Sequence, residues 1–128
     1  MKREVEFRRC KHCGNFVSMV EISGIEIICC GEPMEILEAG VTDGAHEKHV
    51  PEVHVTSNVA RVQIGSTLHP MSEAHHITFI GLETNNGFHR AYLEVGQEPI
   101  ASFALLDDEK VIAAYEYCNL HGLWKYQA

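Results

Sequence analysis

Four of the five cysteines fall within the first thirty residues, as Cys10-Lys11-His12-Cys13-Gly14 and Cys29-Cys30-Gly31. Each cluster is followed by glycine, which lets the backbone turn tightly and aim amide hydrogens at sulfur. Two such knuckles facing each other make a four-thiolate metal site. A segment this short cannot bury enough apolar surface to fold unaided, so a bound metal would supply the missing stability. The cysteine count is odd, and Met1-Lys2-Arg3-Glu4 leads straight into mixed polar sequence without the apolar stretch that a signal peptide would show. A disulfide framework is therefore not expected, and metal binding is favoured over a reversible redox pair. The adjacent Cys29-Cys30 departs from the usual spacing of two and implies a distorted tetrahedron. Spacing does not separate zinc from iron.

The chain has 128 residues, 45% of them apolar, which suits one small domain followed by a medium one with a real core. Residues 38–45 are small and turn-forming, with no periodicity, so the boundary is placed near residue 37, giving domains 1–36 and 37–128. No window approaches the roughly eighteen apolar residues that a membrane helix needs. A soluble, cytoplasmic protein is expected. The net charge of -8 argues against nucleic acid as a partner. Residues 37–128 hold five basic and twelve acidic groups, so any anionic substrate must be drawn by a local positive site.

Beyond the boundary the pattern is β-rich. Residues 53–55 and 60–64 alternate, and further strand-like stretches lie at 77–83, 91–95, 100–105 and 111–117, with a turn signal at Asn85-Asn86-Gly87. Short strands at intervals of roughly ten residues predict an antiparallel sandwich. No helix is expected.

Cys118-Asn119-Leu120-His121-Gly122 ends the last apolar stretch. A thiolate and an imidazole three residues apart can bind one metal from a single turn of backbone. Nine histidines surround the question of its partners. His12 sits in a knuckle and is expected in water, as is His89 just past the turn. His54 lies between Val53 and Val55 and points outward if they point in. His46 is left open. His49 precedes Val50-Pro51, and His69 precedes Pro70, which disfavours helix at His69 itself. His75 and His76 are neighbours, and successive strand side chains face opposite ways, so both cannot reach one metal from a regular strand. His75 shares a face with Ile77 and Phe79, the larger apolar pair, which favours it as the inward one.

Glu47-Lys48-His49-Val50-Pro51, His69-Pro70-Met71, His75 and Cys118-Asn119-Leu120-His121-Gly122 resemble the iron-site motifs of the superoxide reductases. Cys10-x-x-Cys13 and Cys29-Cys30-Gly31-Glu32-Pro33-Met34 resemble the desulforedoxin-like domain of the desulfoferrodoxins, the two-iron members of that family. His76 stands where tryptophan often follows the third ligand. The resemblance covers essentially the whole chain and implies two mononuclear irons. Cys10, Cys13, Cys29 and Cys30 would hold the first; His49, His69, His75 and His121 in a plane, with Cys118 on the axis, the second. It implies a mainly β fold, a rubredoxin-like knuckle followed by an immunoglobulin-like sandwich, as a homodimer.

The activity so implied is the one-electron reduction of superoxide to hydrogen peroxide, with electrons from a rubredoxin-like donor. Four neutral imidazoles and one thiolate around ferrous iron leave a net positive site with one open position. Glu47 would occupy that position in the resting site, and Lys48 would attract the anion and orient a protonating water. The thiolate of Cys118 would donate electron density from below, tuned by amide hydrogens near Asn119, Leu120 and His121. Two other readings compete: a non-enzymatic zinc knuckle joined to a β-sandwich binding module, and a two-iron electron carrier. The first gives no role to the Cys118 and histidine set.

Overall fold

The computed structural model describes residues 1–42 and 44–128. Asp43, part of the segment read as a linker, lies outside the described residues. The chain divides into two compact units, Met1–Glu38 and Ala39–Ala128.

The first unit is a small set of antiparallel strands. β1 (Phe7–Arg9) is flanked by β2 (Phe16–Ser18) and β5 (Glu35–Ile36), while β3 (Ile28–Cys29) pairs with β4 (Glu32–Pro33). Phe7, Ile22 and Met34 are its large buried apolar side chains, and the Phe7 and Phe16 rings meet at 5.8 Å. Arg8 is also buried; its guanidinium lies 2.8 Å from the Glu6 carboxylate and donates to the Ile25 carbonyl at 3.3 Å. A buried cation is tolerable only when so paired. Three large apolar side chains make a very small core, as the length of the segment led one to expect.

The second unit is a seven-stranded sandwich. One sheet has the order β10-β7-β6, from β6 (Pro51–Thr56), β7 (Val59–Ile64) and β10 (Ile100–Ala104). The other has the order β12-β11-β8-β9, from β8 (Ile77–Thr84), β9 (Gly87–Tyr92), β11 (Val111–Cys118) and β12 (Gly122–Gln127). Sheets of three and four antiparallel strands are the immunoglobulin-like arrangement expected from the spacing of the strands. On β7, Ala60, Val62 and Ile64 are buried while Val59 and Arg61 are exposed, so period-two alternation sends one row into the core. That row meets Ile77, Ile80 and Leu82 of β8, Phe103 of β10, and Ala114 and Cys118 of β11.

Three elements and one side chain differ from the sequence reading. β9 begins at Gly87 rather than 91, because Thr84 pairs with Gly87 and the hairpin turns on Asn85-Asn86 alone. β12 was not foreseen. A single helical turn, α1 (His46–His49), precedes β6 where no helix was expected; four residues are too few to show helical periodicity. At the pole where β8 ends and β11 begins, Glu109 accepts hydrogen bonds from Thr84 Oγ1 at 2.5 Å, His89 Nε2 at 2.7 Å and the Leu106 amide at 3.0 Å. His89 is thus tied down and half-buried rather than free in solvent. The bond from His89, with the others, holds the Glu109 carboxyl down to about 2.

Candidate metal centres

The Cys10–Cys13 knuckle is a tight turn in which the Gly14 amide donates to the Cys10 carbonyl at 2.9 Å, the Cys13 amide faces Cys10 Sγ at 3.5 Å and the Asn15 amide faces Cys13 Sγ at 3.4 Å. The second cluster is a two-residue hairpin. Ile28 pairs with Pro33 and Cys29 with Glu32, leaving Cys30 and Gly31 as the loop with φ of 52° and 79°. Both central residues of a type I′ turn need positive φ. Glycine adopts this freely, whereas Cys30 does so at a cost of about 1–2 kcal/mol. That turn accommodates the adjacent cysteines: Cys29 is the last strand residue and Cys30 the first loop residue, and both sulfurs reach the same group.

One sulfur from each of the four cysteines lies within 4.8 Å of the other three, and Cys13 and Cys29 are 3.6 Å apart. A tetrahedral ion with metal–sulfur bonds of about 2.3 Å sets its sulfurs roughly 3.8 Å apart, so the donors fit. The Cys13 amide holds the Cys10 thiol down to about 6. Hydrogen bonding to Cys10 and Cys13 pushes Cys30 up to about 12, and bonding to Cys13 raises Cys29. Four thiolates crowded this closely need a cation among them. His12 is half-exposed, as expected, and reaches Glu32 at 3.2 Å, beside Lys11.

The second centre lies at one pole of the sandwich, where β7 and β11 end and β6, β8 and β12 begin. Each strand end delivers one donor. α1 and the start of β6 carry His49; the loop after β7 carries His69; the approach to β8 carries His75; the three-residue loop from Cys118 to Gly122 carries His121. A bulge shifts the β11–β8 register so that Cys118 pairs with Ile77, ending the inward row of Ala114, Glu116 and Cys118.

The four imidazoles form a near-square. Neighbouring ring centroids are 4.7 Å (His49–His69), 4.5 Å (His69–His75), 5.1 Å (His75–His121) and 4.8 Å (His49–His121), and the His49–His75 diagonal is 6.4 Å. His49 Nε2 is 3.1 Å from His121 Nδ1 and 3.2 Å from His69 Nε2. His49, His75, Cys118 and His121 each place a donor atom within 4.8 Å of the others. His69 falls outside that group but joins it through His49. Cys118 Sγ lies 3.8 Å from His121 Nδ1. His75 Nε2 is buried without a hydrogen-bond partner. An orphaned nitrogen facing three imidazoles and a thiol is the signature expected where a cation belongs.

The surroundings keep these rings neutral and aimed. His49 Nδ1 meets the Ala45 carbonyl at 2.8 Å, and His69 Nδ1 meets the Pro70 carbonyl at 2.7 Å, each leaving Nε2 for a metal. Burial holds His69 down to about 4 and lowers His49 and His75 as well. Burial raises the Cys118 thiol, while the Leu120 and His121 amides draw it down. The Asn119 amide does not join them: it donates to the His76 carbonyl at 3.1 Å. Burial also pushes the Glu116 carboxyl well up, and the charge of that group acts to raise the Cys118 thiol.

Glu47 and Lys48 stand exposed on α1, directly before His49. Their backbone is held from below: the Thr67 amide and Ser66 hydroxyl donate to the Glu47 carbonyl at 3.1 and 3.2 Å. Gly65 permits this contact. Its φ is +85°, and a Cβ there would come within 2.8 Å of both the Glu47 carbonyl and Lys48 Cα. The charge of Lys48 bears on both His49 and His75.

Sequence reasoning missed Trp124, which stacks on His49 at 4.9 Å and donates its indole N–H to the His121 carbonyl at 3.0 Å. The Thr42 hydroxyl reaches the same carbonyl. His46, left open earlier, is exposed and meets Trp124 edge-on at 5.2 Å. His54 is exposed, as expected. His76 turns its Nδ1 to the Ser72 and Glu73 carbonyls, at 3.0 and 3.1 Å.

A four-thiolate knuckle followed by an immunoglobulin-like sandwich, with four imidazoles and a thiol gathered at one pole, defines a class of two-centre metalloproteins. Residues 41–127 match the family described as Desulfoferrodoxin, and residues 2–37 match Desulfoferrodoxin, N-terminal domain. The chain belongs to the desulfoferrodoxin family. It is 42% identical over 128 residues to the desulfoferrodoxin of Nitratidesulfovibrio vulgaris, covering 100% of both chains. Among solved structures it resembles the superoxide reductase from Treponema pallidum, at 35% identity and a TM-score of 0.84, covering 98% of this chain and 100% of that one. The single-iron superoxide reductase from Giardia intestinalis matches at 36% identity and a TM-score of 0.56, covering 64% of this chain and 97% of that one.

Proposed function

We infer that the protein is a superoxide reductase, an oxidoreductase that converts superoxide to hydrogen peroxide with one electron and two protons. The observation that carries this reading is the square of imidazoles with the Cys118 thiol beside it and an orphaned His75 nitrogen within it. His49, His69, His75 and His121 with Cys118 are the proposed ligands of the catalytic iron, and Cys10, Cys13, Cys29 and Cys30 those of the first iron. A ferrous ion in the second site supplies the electron and an open position for a small anion.

The chain's own residues do the rest. The carbonyls of Ala45 and Pro70 fix His49 and His69 so that neutral nitrogens face inward. The amides of Leu120 and His121 support negative charge on Cys118 Sγ. Lys48, exposed on the turn before His49, attracts the anion and orients the water that delivers a proton. Glu47, beside it, is the displaceable carboxylate on the open side. Their exposure and their place in the chain support these roles.

The domain division follows the same reading: 1–36 as the four-cysteine iron domain and 37–128 as the reductase domain. The motif resemblance further supports a cytoplasmic homodimer that detoxifies superoxide and receives electrons from a rubredoxin-like donor. No helix among the described residues is long and apolar enough to cross a membrane.

Cys118→Ser tests the assignment. The iron-loaded variant is expected to lose the thiolate-to-iron absorption in the red and to keep the chromophore of the four-cysteine site. Persistence of both bands would show that the thiolate is misassigned. In the unaltered protein, a pulse of superoxide should yield peroxide with no release of oxygen; zinc-loaded, colourless protein from cells would favour the binding-module reading.

A further inference from the structure

Of the imidazoles in the square, His49 and His69 are aimed by their own ring nitrogens, through Ala45 and Pro70. His75 has no ring hydrogen bond among the described residues, and its Nε2 is buried and unpaired. It lies in no strand or helix. Its aim therefore has to come from the backbone that carries it.

That backbone is closed by side chains. Ser72 and His75 bond each other twice through the main chain, the Ser72 amide to the His75 carbonyl at 2.9 Å and the His75 amide to the Ser72 carbonyl at 3.3 Å. Ser72 Oγ accepts from the His75 amide at 3.1 Å. These bonds make the 72–75 loop rigid in itself but do not tie it to the sandwich. Asn119 does. Its Oδ1 accepts from the His76 amide at 2.8 Å, its Nδ2 donates to the Ala74 carbonyl at 3.0 Å, and its own amide donates to the His76 carbonyl at 3.1 Å. One residue thus grips the main chain on both sides of His75, and that residue is covalently next to Cys118.

We propose that Asn119 is a positioning residue that locks the His75 imidazole to the Cys118 thiolate in one hydrogen-bonded frame, so that the two donors, forty-three residues apart, meet the metal as a unit. Oδ1 and Nδ2 have separate tasks. An aspartate keeps the acceptor for the His76 amide and loses the donor to Ala74; an alanine loses both side-chain bonds and keeps only the main-chain one. The His76 ring, bonded to the Ser72 and Glu73 carbonyls, staples the loop internally and is not a spare ligand. The inference rests on the ligand set proposed above.

The test is a cobaltous-ion titration of the full metal-free chain, read by absorption, with the four-cysteine site as internal standard. Second-layer partners of metal ligands typically change metal affinity by about 10–100-fold. Asn119→Ala is expected to weaken cobalt at the histidine site within that range and leave the four-cysteine site unchanged; Asn119→Asp should fall between it and the original chain. Amide exchange at 74–77 should quicken in the same order. In a His75→Ala background, Asn119→Ala should cost less than about twofold more, because its effect runs through His75. Equal weakening in both backgrounds, or an unchanged affinity in either single variant of Asn119, overturns the proposal. The ligand set fails separately, through His75→Ala alone leaving cobalt binding unaltered.

Discussion

In the first unit the four thiolates come from two turns, with Cys13 and Cys29 only sixteen residues apart, on a body with three large buried apolar side chains. The second centre draws on segments from His49 to His121, set on the rim of a core that includes Val62, Ile64, Ile77, Ile80 and Leu82. The donor chemistry differs in the same sense. Crowded thiols pushed up to about 12 at Cys30 cannot all ionise without a cation. Buried imidazoles held down to about 4 at His69 are already in the neutral, metal-ready form. One site is therefore expected to fold with its metal, the other to wait for it.

The largest effect that could break this contrast is metal removal. Apparent binding energies for structural four-ligand zinc sites are about 10–16 kcal/mol, much of it folding free energy. Stripping the reduced protein with a chelator should disorder residues 1–38 while 39–128 keep their slow amide exchange. If both units lose protection together, the sandwich is no pre-formed scaffold; if the first stays protected, its small core is sufficient without metal.

Acid sharpens the comparison from the other side. His69, His49 and His75 have lowered pKa values, so the fold favours their neutral forms. The stability this provides is present above the unfolded value near 6.5 and is lost as pH falls from there through about 4. For His69 alone the shift is worth about 3 kcal/mol. Urea midpoints of the metal-free second unit should therefore fall between pH 7 and 4, and His69→Gln should flatten that fall. A midpoint independent of pH would mean that the imidazoles are solvated when the metal is absent.

The two centres also differed in how much could be read before the structure. All nine proposed donors stand in short motifs, and a glycine or proline directly follows four of them, Cys13, Cys30, His69 and His121. What holds them could not be read so easily. The vicinal Cys29-Cys30 looked awkward because spacing alone carries no dihedral; a two-residue hairpin with Cys30 at positive φ resolves it. Gly122 was read as the end of the metal motif and no strand was read beyond it, which left unseen β12 and the Trp124 ring that stacks on His49. His89 meets Glu109 across twenty residues, a tertiary pairing with no local signal. The Asn119 amide was expected at sulfur and instead holds His76, because the loop leaves it pointing across the strand pair.

The smallest effect concerns the open side of the second centre, where the contrast is between a closed thiolate cage and a site that must admit an anion to a chain of net charge -8. Lys48 is exposed, so its attraction is screened. At about 7 Å in water a unit charge is worth roughly 0.6 kcal/mol, or about a threefold change in rate. Lys48→Ala should slow the second-order capture of superoxide, followed by pulse radiolysis, by about that factor at low ionic strength. The difference should fade as added salt brings the Debye length well below about 8 Å. Lys48→Arg should retain it, since charge rather than shape is the cause. A rate that is unchanged in Lys48→Ala, or slowed equally at all salt concentrations, would separate the lysine from steering and leave it only the orientation of water.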